Sequence, residues 1–143
     1  MSFYLKLVMP SDPRFLRIVR AAVGELGLVY GLPEESCQGI VLAVDEALAN
    51  VIRHAYKGRH NQDIELTCRT VADQLEFTLL DSGEPPDPGR ICGQPLDEVS
   101  LSGRGTHLIK AVMDEVCYER VAGRNQLKLI KHLPAAKASV EAK

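Results

Sequence analysis

Between Pro33 and Tyr56 lies one long run of good helix formers, and it constrains this fold more than any other stretch. Pro33-Glu34-Glu35 suits a helix start, because proline fits the first turn and acids suit the positive end of the helix dipole. Lys57-Gly58 suits its close. Val41, Val44, Leu48, Val51, Ile52 and Ala55 fall on one stripe of that helix. A helix with such a stripe must bury it against another apolar surface, and a sheet with one apolar face is the natural partner.

Segments with a period of two supply that sheet. Phe3–Met9 alternates, as do Asp63–Val71 (through Ile64, Leu66 and Cys68) and Leu75–Leu80. The last two are expected to pair as a hairpin around Ala72-Asp73-Gln74. A final hairpin is expected from Glu115–Val121 and Gln126–Leu133, around Ala122-Gly123-Arg124-Asn125. Ser11-Asp12-Pro13 reads as a helix start. The helix that follows carries Phe15, Leu16, Ile18, Val19, Ala22, Val23 and Leu26, with Gly27 and Gly31 bracketing its end. Gly105–Met113 reads as a short helix, and the tail after Pro134 as frayed. The order is β-α-α-β-β-loop-α-β-β. It predicts an α+β fold: a two-layer α/β sandwich with a mixed, mainly antiparallel sheet and helices on one face.

The chain has 143 residues, which suits one domain spanning 1–134. Its formal net charge is -2 and no basic block stands out, so no nucleic-acid surface is signalled. No apolar run reaches the ~18–20 residues that span a bilayer. MSFYLKLVMPSDPR lacks the charged-then-apolar pattern of a signal peptide, and a cytoplasmic protein is expected. The four cysteines, at 37, 68, 92 and 117, form no CxxC pair, and reduced thiols are the expectation. The four histidines form no ligand pair such as HxxxH.

Three groups of residues carry chemistry. On the long helix, Glu46 and Asn50 are neighbours on one face and Arg53 follows a turn later. An amide oxygen is a neutral hard ligand for Mg²⁺, which draws further ligands from water and phosphate. A carboxylate one turn earlier can take a proton from a hydroxyl. A guanidinium can offset phosphate charge. By spacing alone, the same residues also describe an ordinary solvated helix face. Leu79-Leu80-Asp81-Ser82-Gly83 ends a strand with a carboxylate, which suits an exocyclic amine such as that of adenine. Gly83 permits backbone close to a flat ring, although Asp-Ser-Gly also fits a plain turn. Ser102-Gly103-Arg104-Gly105-Thr106 opens a helix with exposed backbone N–H groups, a place for phosphate. It is neither a Walker A loop nor a dinucleotide-binding fingerprint. Between the second and third groups runs a Gly/Pro-rich loop of about twenty residues, a length that points to function or mobility.

Helix carboxylate-amide, strand-end DxG, long loop and GxG helix occur here in the order of the GHKL (Bergerat-fold) ATPase superfamily. DEALANVIRHAY, DSGEPPDP and GRGTHLIKAVMD resemble the N, G1 and G2 boxes of its anti-sigma factor serine/threonine protein kinases, the RsbW/SpoIIAB type. The resemblance covers Pro33 to Leu133. Pro85 stands where the broader superfamily often has a second glycine, and Thr106-His107 replaces a more usual apolar pair. The chain has no phosphoacceptor-histidine helix, which points away from a sensor histidine kinase.

The resemblance implies a function. Glu46 would be the general base and Asn50 would bind Mg²⁺. Arg53 would approach the phosphates. Asp81, with Gly83, would bind adenine; Gly103, Arg104, Gly105 and Thr106 would hold the phosphates of ATP. The segment Glu84–Ser102 would be the ATP lid. The implied protein is a homodimeric kinase that phosphorylates an anti-anti-sigma (STAS) protein, sequesters a sigma factor and acts without membrane or direct nucleic-acid binding. Two alternatives remain open: a switch kinase of the RsbT type that binds no sigma factor, and a non-catalytic ATP-sensing module.

Overall fold

The computed structural model describes residues 2–86, 94–95 and 103–134, with backbone alone for 94–95 and 103–106. Strand β1 spans Tyr4–Pro10. A single 3₁₀ turn, Pro13–Phe15, leads into α1, Leu16–Val29; α2 spans Glu34–Asn50 and continues as a wider π-helical turn, Val51–Ala55. Then come β2 (Asp63–Val71), β3 (Gln74–Asp81), the two-residue β4 (Gln94–Pro95), α3 (Gly103–Val112), β5 (Glu115–Val121) and β6 (Arg124–His132).

The sheet order is β1-β2-β3-β6-β5-β4. Every described pairing is antiparallel, so the sheet is not mixed. The connections explain this. Two helices between β1 and β2 bring the chain back to the end it left, so β2 runs opposite to β1. Strand β6 lies between β3 and β5, which run the same way, and keeps them from pairing.

One sheet face is apolar and covered by helices, as the alternation predicts. Ile64 and Leu66 of β2, Leu75, Phe77 and Leu79 of β3 and Leu129 of β6 are all buried. They join one core with Val19 and Val23 of α1, Ile40, Val44 and Leu48 of α2, and Ile109 of α3. The other face is largely polar. Its buried carboxylate, Glu76, is met across the strands by the Arg69 guanidinium at 3.1 Å. Lys131 closes α3, its Nζ donating to Val112 O at 2.9 Å, where a cation suits the last carbonyls of a helix. Among the described residues no helix is long and apolar enough to cross a membrane.

Some boundaries match the sequence expectation and others differ, each for a local reason. Helix α1 ends at Val29, between Gly27 and Gly31; Gly27 is buried inside it, where an added Cβ would lie 2.7 Å from Cys37 Sγ, and the glycine lets α1 and α2 approach. Asp12, directly before Pro13, caps the 3₁₀ turn, accepting from Arg14 N at 3.0 Å. Ser11 is fully buried, and its hydroxyl donates to Arg59 O at 2.6 Å and accepts from Gln62 N at 3.1 Å. The last hairpin turns on Ala122 and Gly123 alone, at φ 52° and 79°, so Arg124 and Asn125 belong to β6. Helix α3 begins at Gly103, earlier than Gly105. Of the expected lid, 87–93 and 96–102 lie outside the described residues, as does the tail, 135–143.

Candidate functional site: a cleft between the long helix and the strand ends

Antiparallel pairing sets residues in rows across the sheet. One row reads Met9, Ile64, Asp81, Asn125, Arg120, from β1 to β5. Directly paired residues share a face, and Met9 and Ile64 are buried, so this row lies on the helix side. Asp81 and Asn125 are therefore buried polar groups, 3% and 4% exposed. Such groups must find partners. Asp81 Oδ1 accepts from Gly83 N and from Asn125 Nδ2, both at 2.8 Å. Oδ2 receives no bond from the described residues. Burial pushes the Asp81 carboxyl above its ordinary range, opposed by the bonds from Asn125 and Gly83 and by the nearby Arg120 and Arg124 charges.

The wide turn after α2 shapes this corner. Tyr56 N donates to Val51 O at 2.9 Å and Gly58 N to Ile52 O at 2.7 Å, so the helical ladder loosens after Asn50. Wide turns of this kind are frequent at functional sites. Here the turn leaves Ala55 O to accept from Glu84 N at 2.9 Å. A Cβ on Gly83 would sit 2.4 Å from Ala55 O, so the close approach that requires glycine is to the helix backbone. Tyr56 ties the corner together: its hydroxyl donates to Asp63 O at 2.6 Å and accepts from Ser82 N at 2.8 Å.

On the helix side, Arg53 Nη2 donates to Asn50 Oδ1 at 2.7 Å and to Glu46 Oε2 at 3.1 Å. A guanidinium only donates, so the Asn50 amide must present its oxygen here. Two oxygens thus converge on one cation. Among the described residues no group of three His, Cys, Asp or Glu side chains could hold a metal by itself. The donor set still fits Mg²⁺, which takes one or two protein oxygens and completes its shell with water and phosphate. Asn50 is buried, whereas the Glu46 and Arg53 side chains are 27% and 52% exposed.

The two halves meet in one cleft. Asn50, Val51 and Ala55 line one side, and Asp81, Tyr118 and Leu127 the other. Glu46 and Arg53 do not line the cleft itself; they stand along the helix beside Asn50. Gly103, Arg104, Gly105 and Thr106 open α3 as expected. Helix α3 leads into β5 through Met113 and Asp114, and β5 ends near Arg120, on the Asp81 row. A helix joined so tightly to the next strand must run back along it, so the first turn of α3 points toward the Asp81 end of the sheet. The Arg104 and Thr106 side chains lie outside the described residues. Asn125, Tyr118, Arg120 and Tyr56 are the site residues that sequence reasoning missed.

Known proteins fit this geometry. The profile of the histidine kinase-like ATPase domain family matches residues 9–131. The serine-protein kinase RsbW of Bacillus subtilis is 25% identical over 128 residues, covering 84% of this chain and 80% of that protein. The serine/threonine-protein kinase BtrW of Bordetella bronchiseptica is 32% identical over 97 residues, 65% of this chain and 68% of that one. Among solved structures, the RsbU and RsbW domains of Rv1364c from Mycobacterium tuberculosis align with a TM-score of 0.65 at 19% identity, covering 92% of this chain and 32% of that one. The histidine kinase domain of the Erythrobacter litoralis EL346 blue-light activated kinase aligns at 0.60 with 18% identity, over 92% of this chain and 65% of that one. The structural likenesses show the fold. With a profile that matches residues 9–131 of its 143, the chain belongs to the histidine kinase-like ATPase domain family.

Proposed function

We propose that the chain is an ATP-dependent serine/threonine protein kinase and anti-sigma factor, which phosphorylates an anti-anti-sigma (STAS) protein and sequesters a sigma factor. The observation that carries this reading is the shared cleft: Asp81 and Asn50 line it from opposite sides, and Glu46 stands one turn before Asn50. The names of the relatives, serine-protein kinase and serine/threonine-protein kinase, support the reaction class.

Each residue then has a task. Asp81 accepts the adenine amine through the oxygen that its neighbours leave open. The apolar walls from Val51, Ala55 and Leu127 take the ring. Asn50 Oδ1 would hold Mg²⁺, which would offset charge on the phosphates. Arg53, which now donates to that oxygen, would then be available to the phosphates. Gly103, Arg104, Gly105 and Thr106 offer donors at the start of α3. Glu46 faces the acceptor hydroxyl. The acceptor oxygen bonds to the γ-phosphorus as the bond to the β–γ bridging oxygen breaks; the proton passes to Glu46 and ADP is released. The transition state of such transfers is loose, so positioning matters at least as much as proton removal. As in the resemblance, Glu84–Ser102 is assigned as the ATP lid, most of it outside the described residues, and the protein works as a cytoplasmic homodimer.

The test uses the purified chain, Mg²⁺-ATP and a STAS protein from the same cell. Phosphate should appear on a serine or threonine of the STAS protein, and a sigma factor should co-purify with the chain in ATP. Transfer without sigma capture would favour a switch kinase. ATP binding without transfer to any STAS protein would contradict the kinase reading.

A further inference from the structure

We propose that Asn125 is the positioning residue that sets selectivity for a 6-aminopurine nucleotide. It holds Asp81 with one carboxylate oxygen open to the cleft, and it ties that carboxylate to the backbone from which the expected lid departs. The inference rests on the nucleotide reading above and adds to it a residue outside the three sequence boxes.

The orientation of the Asn125 amide follows from its neighbours. Its Oδ1 accepts from Arg120 Nη1 at 2.6 Å and from the Tyr118 hydroxyl. Its Nδ2 faces three acceptors: Asp81 Oδ1 at 2.8 Å, Gly83 O at 3.2 Å and Glu84 O at 3.2 Å. A turned-over amide would set oxygen against a carboxylate and two carbonyls, and NH₂ against a guanidinium that cannot accept. One orientation therefore satisfies every partner and the other satisfies almost none.

This fixed amide constrains Asp81. With Oδ1 held by Asn125 and Gly83 N, the side chain cannot rotate freely to exchange its two oxygens. Oδ2 is left as an acceptor in a cleft that Asp81 and Asn125 both line. A purine with a 6-amino group offers it a donor. A 6-oxo purine offers an acceptor and is repelled, and a purine with no 6-substituent offers nothing. The amide has two hydrogens for its three acceptors, and the carboxylate is the nearest. The second hydrogen is shared by the Gly83 and Glu84 carbonyls, so base recognition and the chain leaving β3 are joined through one side chain.

The test measures the affinity of ATP against purine riboside triphosphate, which lacks the 6-amino group, by calorimetry with Mg²⁺. Two variants of similar shape separate the hydrogen bond from packing. Asn125→Val removes the donor to Asp81, whereas Asn125→Thr keeps one hydroxyl donor; both lose the amide carbonyl. The wild type should prefer ATP by about tenfold or more, the worth of a hydrogen bond to a charged group. In Asn125→Val the preference should collapse to within about threefold, and Asn125→Thr should restore most of it. Tyr118→Phe, which removes one donor to Oδ1, should lower the preference by a few-fold and keeps the test open if the buried replacements do not fold. A merely structural role would weaken both nucleotides together and leave their ratio unchanged. An unchanged ratio in Asn125→Val, or in Tyr118→Phe where only that variant folds, would overturn the inference alone. A wild type that binds both nucleotides equally, or neither, would overturn the adenine reading of Asp81 and this inference with it.

Discussion

At the strand side of the cleft, Asp81 and Asn125 are 3% and 4% exposed and share hydrogen bonds with Gly83, Glu84, Tyr118 and Arg120. At the helix side, the Glu46 and Arg53 side chains are 27% and 52% exposed, and one guanidinium spans Glu46 and Asn50. A surface ion pair of that kind is worth little, typically about 0–1 kcal/mol. A buried hydrogen-bond network is costly to disturb. The difference teaches how the site divides its work. On the proposed reading, the sheet would prearrange the base-recognition end, and the Arg53 charge that now spans Glu46 and Asn50 would give way to a metal and phosphates at small cost.

The comparison can be broken most sharply at Asn50, the buried member of the helix side. Asn50→Ala should weaken Mg²⁺-ATP binding and lower transfer on the order of 10³-fold, the range seen when groups holding transferred-phosphate charge are lost. Calorimetry and a phosphorylation assay read the two losses. Next comes the contact that joins the halves. Gly83→Ala would force a Cβ to within 2.4 Å of Ala55 O, so the wide turn and the strand end must part. The expected loss is roughly 3 kcal/mol in chemical denaturation, the upper range for overpacking, together with loss of nucleotide binding. If Gly83→Ala melts with the wild type, the two halves are not braced against each other.

Asp81→Asn tests the rigid half. It should reduce ATP affinity by about 10- to 100-fold and narrow the gap to GTP, because an amide can turn over to meet either base. pH gives a second reading with opposite signs. Burial raises the Asp81 carboxyl above its unfolded value, against the pull of Asn125, Gly83 N, Arg120 and Arg124. Its contribution to folding stability is therefore fully present in acid and lost as pH rises through the raised value. ATP needs the ionised acceptor, so affinity should instead fall as pH drops through that value. In Asp81→Asn this part of the pH dependence should vanish in both measurements. The smallest effect is expected at Tyr56. Tyr56→Phe removes bonds to Asp63 O and Ser82 N and should cost about 1–2 kcal/mol in thermal unfolding, with transfer at saturating ATP little changed.

The layered fold was legible because it rests on periodicity. The alternation in Asp63–Val71 and the stripe from Val41 to Ala55 each name the face that is buried, and the structure buries those faces. Glu46, Asn50 and Asp81 were legible because a helix turn and a strand end place them by counting. Asn125 was not, because Ala122-Gly123-Arg124-Asn125 reads as a four-residue turn. Two positive-φ residues suffice, and the two that follow enter β6. Counting back from a two-residue turn would have set Asn125 opposite Arg120, yet Asp81 comes beside it only through the pairing of β3 with β6. That pairing joins strands far apart in sequence, and no local pattern records it. The same holds for Gly83, whose need for glycine arises from Ala55 on another element. The wide turn after Asn50 was also hidden, since its residues are ordinary helix formers and tertiary contacts to Glu84 and Ser82 accompany it.

The central claim is that one helix face separates nucleotide holding from chemistry, and Glu46→Ala tests it most directly. ATP affinity and the rate of phosphate transfer to a STAS protein are measured on the same preparation. The account predicts ATP affinity within a few-fold of wild type and a transfer rate lower by roughly 10²–10⁴-fold, the usual worth of a positioned base. Because the transition state is loose, a loss near the small end of that range still agrees with it. Transfer at the wild-type rate would contradict it, and would return Glu46, Asn50 and Arg53 to the status of a solvated helix face.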